Sequence, residues 1–195
     1  MAKATRRACA LFLLALASCD TGDGPNPTRE TMRAAALRGD AARFAEDAFG
    51  QIAAGDYAQA SITARRAIQA DPTHPSAQHA LAWAAIHEGN ETVYLVAALE
   101  AVRLAPDSAH FRRTLGIAFR TAGRMRDATR AFRETVRRAP ADTLSWRDLG
   151  RSAYDAGDFA LADSAFDELA ELVPAYFDTA TADAALRADA AARVR

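Results

Sequence analysis

The side chains that could do chemistry in this 195-residue sequence are few and widely spaced. There are four histidines, His74, His79, His87 and His110. His79 and His87 stand eight residues apart, about 12 Å along a helix, which is too far to chelate one ion as an i, i+4 pair does. The two cysteines, Cys9 and Cys19, do not form a zinc or redox pair. The sequence contains no G-x-S-x-G, no phosphate-cradling G-x-x-x-x-G-K-[ST] and no H-E-x-x-H. Its Asp and Glu residues fall mostly at solvating positions of helical patterns, without an acid/base pair. Asn90-Glu91-Thr92 fits a glycosylation acceptor, but an Asn directly after Gly89 is better read as a helix cap. The expectation is a chain that is not an enzyme and holds no metal or cofactor.

Composition says what must position these residues. Fifty-one residues are Ala, against five Ile and six Val, so the apolar fraction is small and helix-favouring rather than sheet-forming. With 25% charged residues and a net charge of -1, neither a disordered chain nor a nucleic-acid binder is indicated.

Residues 1–18 carry Lys3, Arg6 and Arg7, then the apolar run Ala8 to Ala17, then small residues. This is the order of a secretory signal, and the run is too short to span a bilayer permanently. It ends Leu16-Ala17-Ser18-Cys19, which resembles the lipobox of bacterial lipoproteins. The resemblance implies cleavage before Cys19 and acylation of its thiol, hence a stable membrane anchor; an ordinary signal peptide is the alternative. Residues 19–28 are rich in Gly, Pro and Asp and read as a flexible tether. An Asp after the lipidated Cys, here Asp20, would slightly favour the inner over the outer membrane. From Cys19 onward the chain has 21 basic and 25 acidic residues, so any basic patch is a local feature.

Beyond Arg29 the dominant signal is repetition. Gly55, Gly89, Gly123 and Gly157 are spaced by 34 residues, and so are Pro72, Pro106, Pro140 and Pro174. In each interval an apolar pattern of helical period runs to the Gly, which can close a helix in the left-handed conformation. Asp56, Asn90 and Asp158 follow as candidate caps of a second helix, which the Pro then ends. The last two units read Leu115-Gly116, Phe119, Ala128, Phe132, Pro140 and Trp146, Leu149-Gly150, Tyr154, Ala162, Phe166, Pro174. This resembles the tetratricopeptide repeat. The resemblance implies an all-α solenoid of helical hairpins whose first helices line a concave face.

The expected organisation is a short N-terminal helix at 29–40, or an extension of the first repeat helix. Four repeats follow at 41–74, 75–108, 109–142 and 143–174, with a capping helix at 175–195. Unit one has Asp47-Ala48 where the Leu-Gly pair belongs. In unit two Tyr94 replaces a small Ala and is expected to widen that helix pair or shift its register.

Mapped through the repeat register, the face that binds peptides in this family gives His79, Trp83, Ile86 and His87, then His110, Arg113, Ile117 and Arg120, then Leu144, Arg147, Arg151, Tyr154 and Asp155. The peptide-binding candidates taken from it are His79, Trp83, His87, His110, Arg113, Arg120, Arg147, Arg151 and Tyr154. Such a groove is locally basic and aromatic and would suit an extended acidic peptide or a chain-terminal carboxylate. The competing reading pairs the arginines with acids such as Asp148 and Asp155 of the same or neighbouring helices. The expected function is a membrane-tethered adaptor or assembly factor facing the bacterial periplasm. Similar lipoproteins assist pilus and secretin assembly, outer-membrane protein insertion or recruitment of cell-wall enzymes. A homo-oligomeric structural lipoprotein is the alternative, and an accessory role in ligand binding or catalysis is a more remote one.

Overall fold

The computed structural model describes residues 27–195. The signal peptide, Cys19 and most of the tether lie outside the described residues. The chain divides into two units, residues 1–35 and 36–195. The described residues are all-α, with ten helices: α1 Pro27–Ala53, α2 Tyr57–Ala70, α3 Pro75–Glu88, α4 Glu91–Leu104, α5 Ala109–Thr121, α6 Met125–Arg138, α7 Thr143–Asp155, α8 Phe159–Leu172, α9 Tyr176–Thr179 and α10 Thr181–Val194. No described helix is long and apolar enough to cross a membrane.

From residue 36 the helices pack as consecutive antiparallel hairpins, α1 on α2, α3 on α4, α5 on α6 and α7 on α8. Each turn between partners is built alike. Gly55, Gly89, Gly123 and Gly157 have φ of 71 to 80°, a conformation that costs other residues about 1–2 kcal/mol. The next residue then caps the second helix. Asp56, Asn90 and Asp158 side chains accept from the backbone N–H of Gln59, Val93 and Leu161, whereas Arg124 makes no such bond in the third hairpin.

The separation within each hairpin is set by a pair of facing residues. In the third and fourth hairpins, a Cβ added to Gly116 or Gly150 would lie 2.6 Å from the ring of Phe132 or Phe166. Both rings are fully buried, each contributing about 2–3 kcal/mol. In the first and second hairpins the equivalent pairs are Ala48 with Ala64 and Ala82 with Ala98, also fully buried. Two residues have changed together: a ring demands a glycine opposite, and two alanines share the space otherwise.

Tyr94 is buried in the cluster that holds Ala48, Ala64, Ala82 and Ala98. It shifts no register, because α2, α4, α6 and α8 begin at residues 57, 91, 125 and 159, keeping the 34-residue spacing. Its ring is packed in a cluster whose other buried members are mostly alanines. Of the two readings of residues 29–40, the structure shows the extension of the first repeat helix and not a separate one. Helix α1 runs continuously through Gly39, which lies among the helix-favouring residues Ala34, Ala35, Ala36, Leu37 and Arg38. The cap expected at 175–195 is two pieces, the single turn α9 and the helix α10.

Gly150→Ala is expected to lower stability in urea unfolding by about 1–3 kcal/mol, because the Phe166 ring must move. Gly50→Ala, in helix α1 with nothing within 4 Å of the added carbon, should raise stability by up to about 1 kcal/mol. Stabilisation by both would remove the packing role assigned to Gly150.

Candidate functional site

The first helices of successive hairpins, α1, α3, α5 and α7, share one face, and their side chains change character along it. One register column reads Phe49, Trp83, Ile117, Arg151; another reads Ala45, His79, Arg113, Arg147. The N-terminal part is therefore apolar and aromatic, and the C-terminal part is basic.

At the apolar end, Phe49 and Ile52 of α1, Ser76, His79 and Trp83 of α3, and His110 and Phe111 of α5 line an open pocket of about 480 Å³. His79 forms its floor, with only 3% of its surface exposed. The Trp83 indole N–H donates to His79 Nε2 at 2.8 Å, and Thr114 Oγ1 lies 2.8 Å from the same nitrogen. Nε2 is thus the unprotonated nitrogen and the ring proton sits on Nδ1. Burial, aided by the neighbouring His110, lowers the His79 pKa from 6.5 to about 3, so the ring is a neutral acceptor that fixes the indole. His110 meets His79 edge-on at 4.4 Å. Its own pKa is lowered by burial and by Arg113, against an opposing pull from Asp142.

At the basic end the arginines converge on two buried carboxylates. Asp148, fully buried, accepts from Arg113 at 2.9 Å, Arg120 at 3.1 Å and Arg147 at 3.0 Å. Three guanidinium groups share one carboxylate, so two formal positive charges remain uncompensated within the cluster. Each of the three keeps partial exposure, 18% to 28% of its side chain. Asp183 of α10, 1% exposed, is forked by Arg151 at 2.5 and 2.9 Å and also accepts from the Tyr176 hydroxyl. The Tyr154 hydroxyl donates to Asp189 of α10, which also accepts from Arg193. Helix α10 therefore packs on the last hairpin as each first helix packs on the hairpin before it.

Of the residues singled out from the sequence, His79, Trp83 and His110 come together in the pocket. His87 does not line the pocket but lies behind it, stacking on Trp83 at 6.1 Å and on Tyr57 at 4.1 Å. Arg113, Arg120 and Arg147 form the Asp148 cluster, whose carboxylate belongs to the pairing weighed against free arginines. Arg151 and Tyr154 lie under the C-terminal helix and bond to it. Phe49, Ile52 and Phe111 were not anticipated, although Phe49 and Ile52 stand 34 residues before Trp83 and Ile86. Among the described residues no three His, Cys, Asp or Glu side chains converge as metal ligands.

The sequence profile of the tetratricopeptide repeat matches residues 94–143 and 113–177. Several solved structures share the fold. PilF of Pseudomonas aeruginosa aligns with a TM-score of 0.70 at 18% identity, over 82% of this chain and 71% of its own. TTC0263, a thermophilic tetratricopeptide-repeat protein of Thermus thermophilus, aligns at 0.65 and 15% identity, over 75% and 81%. YrrB, described as a tetratricopeptide-repeat protein with an unusual peptide-binding site, aligns at 0.62 and 16% identity, over 71% and 72%. The mutant O-GlcNAc transferase of Thermobaculum terrenum aligns at 0.63 and 20% identity over 71% of this chain but only 26% of its own. At these identities the likeness is one of fold. No curated protein matches in sequence.

A histidine with a depressed pKa gives a signed prediction. The unfolded chain protonates this ring near 6.5 and the fold near 3. The contribution is therefore complete above pH 6.5 and is lost progressively as pH falls toward 3. The stability advantage of the wild type over His79→Gln, from urea midpoints, should accordingly shrink between pH 7.5 and pH 5. An advantage independent of pH would show that His79 is not held neutral.

Proposed function

We propose that this tetratricopeptide-repeat scaffold holds an extended acidic segment of a partner protein along the face of its first helices. In this reading an apolar or aromatic side chain of the partner enters the pocket beside Trp83, and its carboxylates reach the arginines around Asp148. The observation that carries it is the three-to-one arginine cluster next to a pre-formed aromatic pocket. Buried Asp148 satisfies the guanidinium geometry without cancelling the charge, so the arginines are held rigidly and still attract an anion. Arg113 lies one helical turn after His110, which makes pocket and cluster continuous along α5. That YrrB is described as having a peptide-binding site adds to the reading.

The same proposal places the scaffold on a bacterial envelope membrane, facing the periplasm, through acylated Cys19. Its support is the order of charged, apolar and small residues before that cysteine. With successive hairpins offering evenly spaced contacts and no catalytic constellation among the described residues, the role is that of an adaptor or assembly factor.

The pocket and the cluster separate experimentally. On an array of extended peptides carrying one aromatic residue among Asp and Glu, Trp83→Ala should weaken binding at least about tenfold at every salt concentration, since it removes the aromatic wall of the pocket. Wild-type binding should itself weaken as salt rises from about 0.05 to 0.5 M, since partly exposed charges are screened over about 10 Å at 0.1 M. Binding that ignores both the substitution and the salt would place recognition elsewhere. For the anchor, intact mass from the native host should show diacylated Cys19 at the new N-terminus, and an unmodified thiol would refute it.

A further inference from the structure

The repeat supplies its own controls for positions on the outward side of the second helices. Four positions of each second helix, at i, i+4, i+7 and i+11, point to solvent in every hairpin. They are Ala58, Ile62, Arg65 and Gln69 on α2, and Thr92, Val96, Leu99 and Arg103 on α4. They are Arg126, Arg130, Arg133 and Arg137 on α6, and Ala160, Ser164, Asp167 and Glu171 on α8. All sixteen are exposed. The fold accepts Ala, Ile, Ser or Asp there, so packing does not ask for four arginines on α6.

Those arginines form a straight row about 16 Å long. Residues 124–138 hold six arginines against Asp127 and Glu134, a net charge of +4 in a chain whose total is -1. The two acids are divided among Arg124, Arg130, Arg137 and Arg138. Among the described residues the one carboxylate that Arg133 reaches is the exposed Asp158, at 3.8 Å. Arg126 has no carboxylate within 4 Å among the described residues. On the neighbouring second helices of the same side, Ile62, Val96 and Leu99 are 49%, 62% and 49% exposed. A row of guanidinium groups on one second helix, with exposed aliphatic side chains at the same register of the second helix before it, is the combination that suits the boundary between phosphate headgroups and acyl chains.

We infer that the outward faces of α4 and α6 dock on an anionic lipid bilayer, the α6 arginines taking headgroup phosphates while Val96 and Leu99 enter the acyl boundary. The contact lies on the opposite side of the hairpins from the peptide face and does not depend on acylation of Cys19. It would lay the scaffold along a membrane with its peptide face turned away from the lipid.

The test is vesicle co-sedimentation at about 0.1 M salt, where charges are screened over about 10 Å, with the full chain carrying Cys19→Ser, so that no acyl chain anchors it. The same chain with Arg126→Ala, Arg130→Ala, Arg133→Ala and Arg137→Ala keeps the same leader, whose contribution cancels. The parent should partition onto vesicles of phosphatidylglycerol and phosphatidylcholine far better than onto phosphatidylcholine alone. The four substitutions should cut that partition on the order of a hundredfold, since basic residues at such a surface act cumulatively. Alanine occupies the Arg126 position in α2 and α8 and is the strongest helix former at the other three, so helicity should be unchanged. Should the fourfold variant misfold, Arg126→Ala with Arg130→Ala alone should still cost about tenfold. Equal partition of parent and variant, or no preference of the parent for phosphatidylglycerol, overturns the inference. So does a salt-sensitive dimer that the variant loses without any vesicle binding, which would assign the arginines to the acidic α8 row of a second copy.

Discussion

How closely the two helices of a hairpin approach governs everything built on them. That distance is set at one contact, where Gly116 faces Phe132, Gly150 faces Phe166, and in the earlier hairpins alanine faces alanine. A single extra carbon opposite either ring would overlap it, so ring and glycine are one unit of sequence rather than two. Because all four hairpins solve the same volume problem, their first helices stand in a regular row. The face they share can then be continuous.

That row is tied together by polar contacts of constant stride. His79 meets Thr114, Arg113 meets Asp148 and Tyr154 meets Asp189, each across 35 residues. The stride is one more than the repeat, so each first helix reaches the next one a residue further on. Helix α10 completes the ladder through Asp183 and Asp189, standing where another first helix would stand, and thereby covers Arg151 and Tyr154. A fully buried carboxylate such as Asp148 is costly to desolvate, and its three arginines offset that cost with directed hydrogen bonds. Losing the carboxylate would leave like charges crowded together. Keeping it leaves a surplus of positive charge, held in place, at the end of an aromatic pocket.

Much of this could be read from the sequence because the repeat makes every position a comparison with three others. The Gly and Pro columns mark where helices stop, and the capping Asp and Asn residues mark where the second ones start. The helix boundaries follow from local chemistry that a single chain displays. Tyr94 could not be read the same way, because the cluster that buries it draws its small side chains from several helices. Phe49 was visible in the Trp83 column, but the extent of α1 and the irregular first unit hid its register. The partner of Arg151 was out of reach: Asp183 lies on a helix without the repeat pattern, and this pair spans 32 residues rather than 35. Charge on a face can be tallied from sequence, but which arginines are already engaged depends on where such carboxylates are buried.

The central claim is that the aromatic pocket and the adjoining arginines receive a partner segment, and the chain carries a built-in reporter for it. It has two tryptophans, and both indole N–H groups are hydrogen-bonded, Trp83 to His79 in the pocket and Trp146 to the Pro140 carbonyl. An NMR titration of the two indole resonances with an extended acidic peptide bearing one aromatic residue reads the pocket directly. The account requires the Trp83 resonance to shift in a saturable way while that of Trp146 stays in place. A peptide that binds while moving only Trp146, or neither indole, would contradict it.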